Sequence, residues 1–214
     1  MANINRPSGF SPVKYQNGTP WNGQGNVYFL SHSNTDIIRI GDLVTANLTA
    51  AQIDPSHGLP GVKLAASGNL VYGAVLAVGT QYNGPYANPN NLSLTYAPSA
   101  KGTTDYYVLV ADDPNIIFAI QEHSNGTALT GADIGANQTY QVIAGTNYIS
   151  GWQLSSGTDA TPAATATIDL KLLSLQQIYD ANSGLYNTFG AYAKWLVRLN
   201  LSYFSTTTGF AVAT

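Results

Sequence analysis

Apolar and polar residues alternate along most of the chain from Val27 onward, and Gly, Pro, Asn or Asp interrupts the alternation at short intervals. A period of two residues is typical of β-strands with one buried face, and the interrupting residues are typical of turns. The pattern therefore predicts an all-β protein, an antiparallel β-barrel or sandwich with little helix. The predicted strands lie at about 27–31, 37–46, 61–66, 70–79, 92–96, 105–111, 115–122, 139–144, 151–155, 166–175 and 192–204.

Two of these strands indicate most clearly where the core lies. The strand 70–79 is apolar on both faces over residues 70–78, which predicts a central strand. The strand 192–204 has one apolar and one polar face, so one side faces the core and the other faces water. Its apolar set is Trp195, Val197, Leu199, Leu201 and Tyr203, and its polar set is Lys194, Arg198, Asn200 and Ser202. Short helical turns are predicted only at 49–53 and 174–182.

The first 26 residues contain repeated Pro and Gly and no periodic apolar pattern, which predicts an extended arm. The body then spans 27–204, as one unit or as two small subdomains, and 205–214 form a tail. Proline keeps the preceding residue extended. The arm therefore either lies across a neighbouring subunit or folds back over its own core as a first irregular strand. Its candidate partner-binding residues are Ile4, Pro7, Phe10, Pro12, Tyr15 and Trp21.

The composition narrows the classes of partner. Only 9% of the 214 residues are charged, whereas an average soluble domain has about 25%. A nucleic-acid-binding protein needs a stripe of Lys and Arg to displace phosphate counterions, and 8 such residues with a net charge of -3 argue against that class. A surface of amides, hydroxyls and tyrosines loses little solvation when it is covered, which favours contact with other protein. Drift of the composition toward Asn and Thr is the alternative.

Targeting and cross-linking signals are not visible in the sequence. The first residues have no apolar run of the kind that follows the charged start of a secretory signal, so we expect the chain to stay where it is made rather than to be secreted. No run approaches the roughly 20 apolar residues of a membrane helix, which predicts no membrane contact. With no Cys, the chain has neither a disulfide framework nor a thiolate metal site.

Candidate catalytic chemistry is sparse, and we predict a non-enzymatic protein with no catalytic, cofactor-binding or metal site. The hydrolase elbow and the phosphate-binding loop are absent from the sequence. Three carboxylates, Asp112, Asp113 and Glu122, flank one predicted strand and would suit a glycosidase pair or a calcium site. The preferred interpretation is that the two Asp cap a turn and Glu122 marks the exit of the strand into solvent. The histidines show no metal-ligand spacing; they are His32, His57 and His123.

The aromatic residues permit a second reading, carbohydrate binding, because Tyr and Trp rings can stack on sugars. Tyr82, Tyr86 and Tyr96 lie in or beside the polar connection 81–91. Tyr15 and Trp21 lie in the arm. In an all-β protein, aromatic residues more often fill strands and interfaces. We therefore count Tyr82 and Tyr86 as candidate partner-binding residues and keep a carbohydrate-binding module as the alternative.

Several stretches of the chain resemble, in order, one group of tailed-bacteriophage virion proteins. The first is 5–24 (NRPSGFSPVKYQNGTPWNGQ), and the others are 41–44 (GDLV), 107–114 (YVLVADDP) with Phe118, Gln121 and Glu122, and 194–200 (KWLVRLN). The group is that of the capsid decoration, or cement, proteins. The similarity extends over nearly the whole chain, although none of these motifs has a catalytic mechanism behind it.

The resemblance implies a β-barrel or sandwich body on the outer surface of an icosahedral capsid, with arms that contact neighbouring subunits. The partners would be the major capsid protein and further copies of the chain, as a homotrimer or alternatively a dimer. The protein would be made in the host cytoplasm and would stabilise the virion without a cofactor. Several weak contacts on one oligomer act at high effective concentration. The alternative is a receptor- or carbohydrate-binding module of a head or tail fibre.

Overall fold

The computed structural model describes residues 3–49, 52–80, 94–146, 149–180 and 185–205. It is nearly all β, with 37% strand and 4% helix, and its antiparallel sheets pack as a sandwich. The all-β prediction is confirmed. Of the two predicted architectures the structure has the sandwich, since no closed barrel is found in the described part.

The strands are short and follow one another along the chain. They are β1 (Ser11–Tyr15), β2 (Asn26–Leu30), β3 (Ile38–Arg39), β4 (Leu43–Ala46), β5 (Val62–Leu64), β6 (Gly73–Gly79), β7 (Tyr96–Ala97), β8 (Tyr106–Ala111), β9 (Ile116–Gln121), β10 (Asn137–Gln138), β11 (Tyr140–Gln141), β12 (Gln153–Leu154), β13 (Leu170–Leu175), β14 (Tyr179–Asp180), β15 (Leu185–Tyr186) and β16 (Lys194–Leu199). Among the described residues, complete turns of 3-10 helix lie at Gly131–Asp133 and Tyr203–Ser205.

Two five-stranded sheets form the body. The first sheet has the order β1-β9-β16-β13-β10, and the second has the order β2-β8-β6-β4-β5. The small sheets β3–β7, β11–β12 and β14–β15 have two strands each. In the second sheet, β6 lies between β8 and β4, which confirms the central strand that its apolar residues predict.

Two hydrophobic clusters fill the body. The first cluster joins side chains of β9, β13 and β16 to small or branched residues of the second sheet, among them Leu43, Ala74 and Ala111. The second cluster lies on the other face of the second sheet and includes Val75 and Val108. The second sheet is therefore buried on both faces, which is why β6 and β8 are apolar almost throughout.

The strand β16 confirms the predicted core face, whereas Ser202, which the pattern places on the polar face, is buried. Trp195, Val197 and Leu199 are buried in the first cluster. The strand ends at Leu199, earlier than the predicted limit at 204. Leu196 is also buried, because it packs with Ile117 and other apolar residues on the outer face of the first sheet.

The N-terminal segment folds back over the body, which was the second of its two predicted alternatives. Strand β1 pairs with β9 as an edge strand of the first sheet, and the Phe10 side chain is only 1% exposed in the first cluster. The prediction of an extended arm over the first 26 residues is wrong for residues 10–15, which belong to the body. The boundary at residue 26 does not separate two units, since β1 and β2 contribute to sheets that share one core.

The position of Phe10 depends on a close approach between the backbone at Gly9 and the backbone at Gly41. Gly9 has a φ of +64° and Gly41 a φ of +91°, and the Phe10 amide donates to the Gly41 carbonyl at 2.8 Å. A Cβ atom on Gly9 would lie 2.3 Å from the Gly41 oxygen, inside the contact limit. Glycine is required at this position both for its positive φ and for lack of space.

Other predicted elements differ or lie beyond the described residues. The described part of the stretch 174–182, residues 174–180, contains the end of β13 and the strand β14 rather than a helical turn, because Leu175 pairs with Trp195 across the sheet. The connection 81–91, with Tyr82 and Tyr86, lies outside the described residues. So do most of the tail and part of the predicted turn 49–53.

Candidate docking surface

Five large apolar side chains are exposed near one end of the first sheet, where β9 ends at Gln121 and β16 begins at Lys194. We call this surface the apolar end. Its members are 37–62% exposed, and large apolar residues grouped on a surface in this way are typical of interaction sites. They are Ile4 (45%), Ile178 (37%), Tyr179 (56%), Tyr186 (62%) and Phe189 (46%).

The hairpin β14–β15 carries the two tyrosines. Tyr179 and Tyr186 are cross-strand partners, and their ring centroids lie 5.2 Å apart. Asn187 fastens the hairpin to the body: its Nδ2 donates to the carbonyls of Gln176 (2.8 Å) and Lys194 (2.7 Å), and its Oδ1 accepts from the Lys194 amide (3.0 Å). The tyrosine pair is thus held on a fixed support rather than on a free loop.

Gln121 joins the N-terminal segment to the same end. Its side chain is buried, and its Nε2 donates to the carbonyls of Ile4 (2.8 Å) and Tyr192 (3.1 Å). Its Oε1 accepts from the Arg6 amide at 2.8 Å. The side-chain amide of Gln121 therefore makes hydrogen bonds to this backbone that a neighbouring strand would otherwise make. It holds Ile4 beside the loop that carries Phe189.

Phe189 links the exposed surface to the core. Its ring lies 5.6 Å from that of the buried Trp195. A groove of about 260 Å³ runs beside the apolar end and is lined by Pro12, Gln121, Ile178 and other residues. Aromatic and aliphatic groups on a rigid base, next to a groove with few charges, are typical of protein-binding surfaces.

The predicted partner-binding residues differ in their exposure and in what they contact. Ile4 belongs to the apolar end and Pro12 lines its groove. Pro7 is half-buried. Phe10 is a core residue and is not available to a partner, which corrects that prediction. Tyr15 and Trp21 pack against the first cluster with half-buried side chains.

Tyr179, Tyr186 and Phe189 are not among the candidates predicted from the sequence: the pattern predicts a helical turn over 174–182, which contains Tyr179, and no strand over 183–191, which contains the other two. The sequence does contain a hairpin signal. An Asn-Ser-Gly turn sequence at 182–184 lies between two tyrosines, and such a turn between β-formers favours a hairpin.

The three carboxylates that suggested an enzyme lie at the two ends of β9. Asp112 and Asp113 precede this six-residue strand and Glu122 follows it, so about 20 Å of extended chain separates them at roughly 3.3 Å per residue. Glycosidase carboxylates lie about 5–9.5 Å apart. Asp113 and Glu122 therefore do not form such a pair.

Each carboxylate has a structural partner instead. Asp113 Oδ1 accepts from the Asn115 amide at 2.7 Å, as predicted for a turn cap, and Asp112 Oδ2 accepts from Tyr28 at 2.7 Å. The prediction that Glu122 exits into solvent is wrong. Glu122 is 0% exposed, because the chain after β9 turns inward and covers it.

Glu122 is a buried hydrogen-bonding centre. Its Oε1 accepts from the Leu129 amide at 2.7 Å and its Oε2 from Trp195 Nε1 at 2.9 Å. Burial raises the pKa of Glu122 to about 7, although these two hydrogen bonds lower it, and the negative charges of Asp133 and Asp159 add to the rise. Burial also raises the pKa of Asp42, to about 6.

We predict that the raised pKa values of Asp42 and Glu122 make the free energy of unfolding fall as pH rises from about 4 to 7. In this pH range the folded state holds protons that the unfolded state has released. The stability that these bound protons contribute is fully present below the pKa of the unfolded state and is lost as pH rises through the pKa of the folded state. For Glu122 the change is on the order of 3 kcal/mol. Urea denaturation across this range measures it. The variant Glu122→Gln has a flatter profile, and an unchanged slope in that variant would contradict the assignment.

The three histidines each contact one aspartate. His123 Nδ1 lies 3.0 Å from Asp159 Oδ2, and the other pairs are His32–Asp105 and His57–Asp54, each at 2.8 Å. Among the residues that the structure describes, no group of three or more His, Cys, Asp or Glu is placed to hold a metal ion. All six residues lie in loops, and the His57–Asp54 pair lies within a single loop.

Comparison with known proteins adds no relative. No protein-family model matches the chain, and no curated protein and no solved structure matches it at a significant level. Within the described ranges, no helix is long and apolar enough to cross a membrane.

Proposed function

We propose that this protein is a non-enzymatic virion structural protein. It binds the outside of an icosahedral phage capsid as a homo-oligomer and stabilises the capsid by bridging neighbouring subunits. The observation that carries the proposal is the apolar end, a rigid exposed surface of Tyr179, Tyr186, Phe189, Ile178 and Ile4. The ordered sequence resemblance to decoration proteins supports the choice of the capsid as partner.

The chemistry of the apolar end suits a protein partner. Tyr and other aromatic residues dominate the binding energy of protein interfaces, because they bury a large area and lose little conformational freedom. Among the described residues that line the adjoining groove, Lys194 alone is charged, and only 9% of the residues of the whole chain are charged. Covering such a surface therefore requires little desolvation of charge.

The proposed mechanism is that of a multivalent clamp. Each copy contributes one apolar end, and an oligomer presents several at once. The second and later contacts then form at high effective concentration, so the oligomer dissociates slowly even where each contact is weak. A homotrimer is the expected state and a dimer the alternative; sedimentation equilibrium of the purified chain distinguishes them.

We predict that the double variant Tyr179→Ala, Tyr186→Ala binds capsids at least about tenfold more weakly, because aromatic side chains at the centre of an interface contribute more than about 1 kcal/mol each. The measurement is co-sedimentation of the purified chain with capsids that lack it. Phe204→Ala is the matched control: Phe204 is 53% exposed but follows the opposite end of β16. Equal losses in both variants would argue against the apolar end as the docking surface.

The copy number of the chain in purified virions tests the function itself. Quantitative mass spectrometry gives its ratio to the major capsid protein. We expect hundreds of copies, as a capsid lattice requires. A handful of copies would instead indicate a tail or fibre location and favour the receptor- or carbohydrate-binding alternative, and an absence from the particle would overturn the proposal.

A further inference from the structure

An open cleft of about 420 Å³ lies at the end of β9 opposite the apolar end. It is lined by Tyr15, Gln16, Asn17, Asp113 and Asn115. Tyr15 pairs with Ile116 at the start of β9, whereas the apolar end adjoins Gln121 at its other end. The six residues of the strand separate the two sites by about 20 Å.

Hydrogen bonds hold the walls of the cleft in place. The Gln16 amide donates to the Asn115 carbonyl at 2.8 Å, which joins the two walls through the backbone. Arg198 donates to Gln16 Oε1 at 3.3 Å, and the Tyr15 hydroxyl donates to Asn22 at 3.2 Å. A site that is ordered before its ligand arrives avoids much of the entropy cost of binding.

The turn that carries Asp113 is also rigid. Asp113 Oδ1 accepts from both the backbone amide and the side-chain Nδ2 of Asn115, at 2.7 and 3.0 Å. The preceding Asp112 is fixed by Tyr28 and Asn26. Asp113 Oδ2 accepts no hydrogen bond from the described residues, and the Asp113 side chain is exposed. One charged acceptor thus faces solvent from a fixed position.

The groups lining the cleft match the chemistry of a sugar. A pyranose has hydroxyls that donate to a carboxylate and accept from amides, and it has a C–H face that packs on an aromatic ring such as Tyr15. Gln16, Asn17 and Asn115 supply amides that both donate and accept. Asp113 disfavours anionic ligands, and a single carboxylate among the described residues that line the cleft falls short of the usual calcium ligand set.

We propose that this cleft binds a neutral saccharide unit. Tyr15 provides the stacking surface, Asp113 Oδ2 accepts from one or two sugar hydroxyls, and the amides of Asn17 and Asn115 complete the hydrogen bonds. The proposal rests on described residues alone and draws on none of the tyrosines of the connection 81–91, where the sequence suggested sugar binding. It also lies away from the apolar end, so a protein docked through the apolar end would leave the cleft open to a glycan.

Saturation-transfer NMR of the full chain tests the proposal, with glucose, galactose, mannose and N-acetylglucosamine as separate probes at about 10 mM, a concentration suited to millimolar binding. We expect transfer to at least one sugar. Asp113→Asn keeps an acceptor for the Asn115 amide but loses the charge, and we expect binding about tenfold weaker. Tyr15→Leu keeps apolar contact with the core but removes the ring, and it should also lose binding.

The matched control is Asp133→Asn. Asp133 likewise caps a turn, at Thr130, but it lies near Glu122 at the other end of β9. Binding that survives in this control and is lost in Asp113→Asn, with unchanged thermal unfolding of both, supports the cleft. Absence of transfer to all four sugars, or equal transfer in all variants, overturns it. This result is independent of the copy number in virions, so failure of one proposal does not imply failure of the other.

Discussion

Replacing Trp195 with alanine is expected to lower the free energy of unfolding by about 3–5 kcal/mol, the range for a fully buried aromatic residue. Trp195 is 0% exposed in the first hydrophobic cluster. The substitution also removes the Nε1 donor of Glu122, and a buried carboxylate without its partner adds to the loss. Urea denaturation followed by circular dichroism, at one fixed protein concentration, measures the change.

Trp195→Phe separates packing from hydrogen bonding. Phenylalanine keeps much of the ring volume but has no donor for Glu122, so we expect a smaller loss, about 1–3 kcal/mol. If Trp195→Ala had almost no effect on unfolding, the placement of β16 with this face toward the core would be wrong. If Trp195→Phe were as harmful as alanine, the hydrogen bond rather than the packing would dominate.

The second large effect is expected at Phe10. Phe10→Ala should lower the free energy of unfolding by about 3–5 kcal/mol, although the residue lies in a segment whose composition is typical of an arm. Its ring makes edge contacts with Phe118, Tyr140 and Trp152, at centroid distances of 6.2, 5.7 and 6.5 Å. Thermal and urea unfolding of the isolated protein both report the loss.

Ile4→Ala is the control for Phe10→Ala. Ile4 is an apolar residue of the same segment but is 45% exposed, so its truncation should change stability by no more than about 0.5 kcal/mol. On the proposed function it should weaken capsid binding instead. The reverse result, a stable Phe10→Ala protein that fails to bind capsids, would show that the segment leaves the body and acts as an arm.

Local pattern alone was enough for the class of fold. Strand alternation is a property of neighbouring residues, because each side chain points to the face opposite that of the next one. The alternating residues of β16 and the uninterrupted apolar run that contains β6 therefore revealed the faces and the central position of these strands. The turn at Asp113 was also readable, since an Asp side chain bonds to its own backbone two residues on.

Contacts between distant residues could not be read from this pattern. Glu122 stands at the end of a predicted strand, where the chain is expected to exit into solvent, yet Trp195 reaches it from 73 residues away. Phe10 and the residues that enclose it likewise lie far apart in sequence. Burial of such groups depends on which strands become neighbours, and strand order is a property of the whole chain.

The sequence by itself determined the all-β class, most strand positions, the core face of β16 and the capping turn before β9, because each depends on interactions within a few residues. Only the tertiary structure decided that the N-terminal segment completes the core, that the hairpin β14–β15 and Ile4 form one apolar end, and that Tyr15 and Asp113 share a cleft. Each of those arrangements joins residues whose free energy of contact depends on the packing of two sheets, and no local pattern encodes that packing.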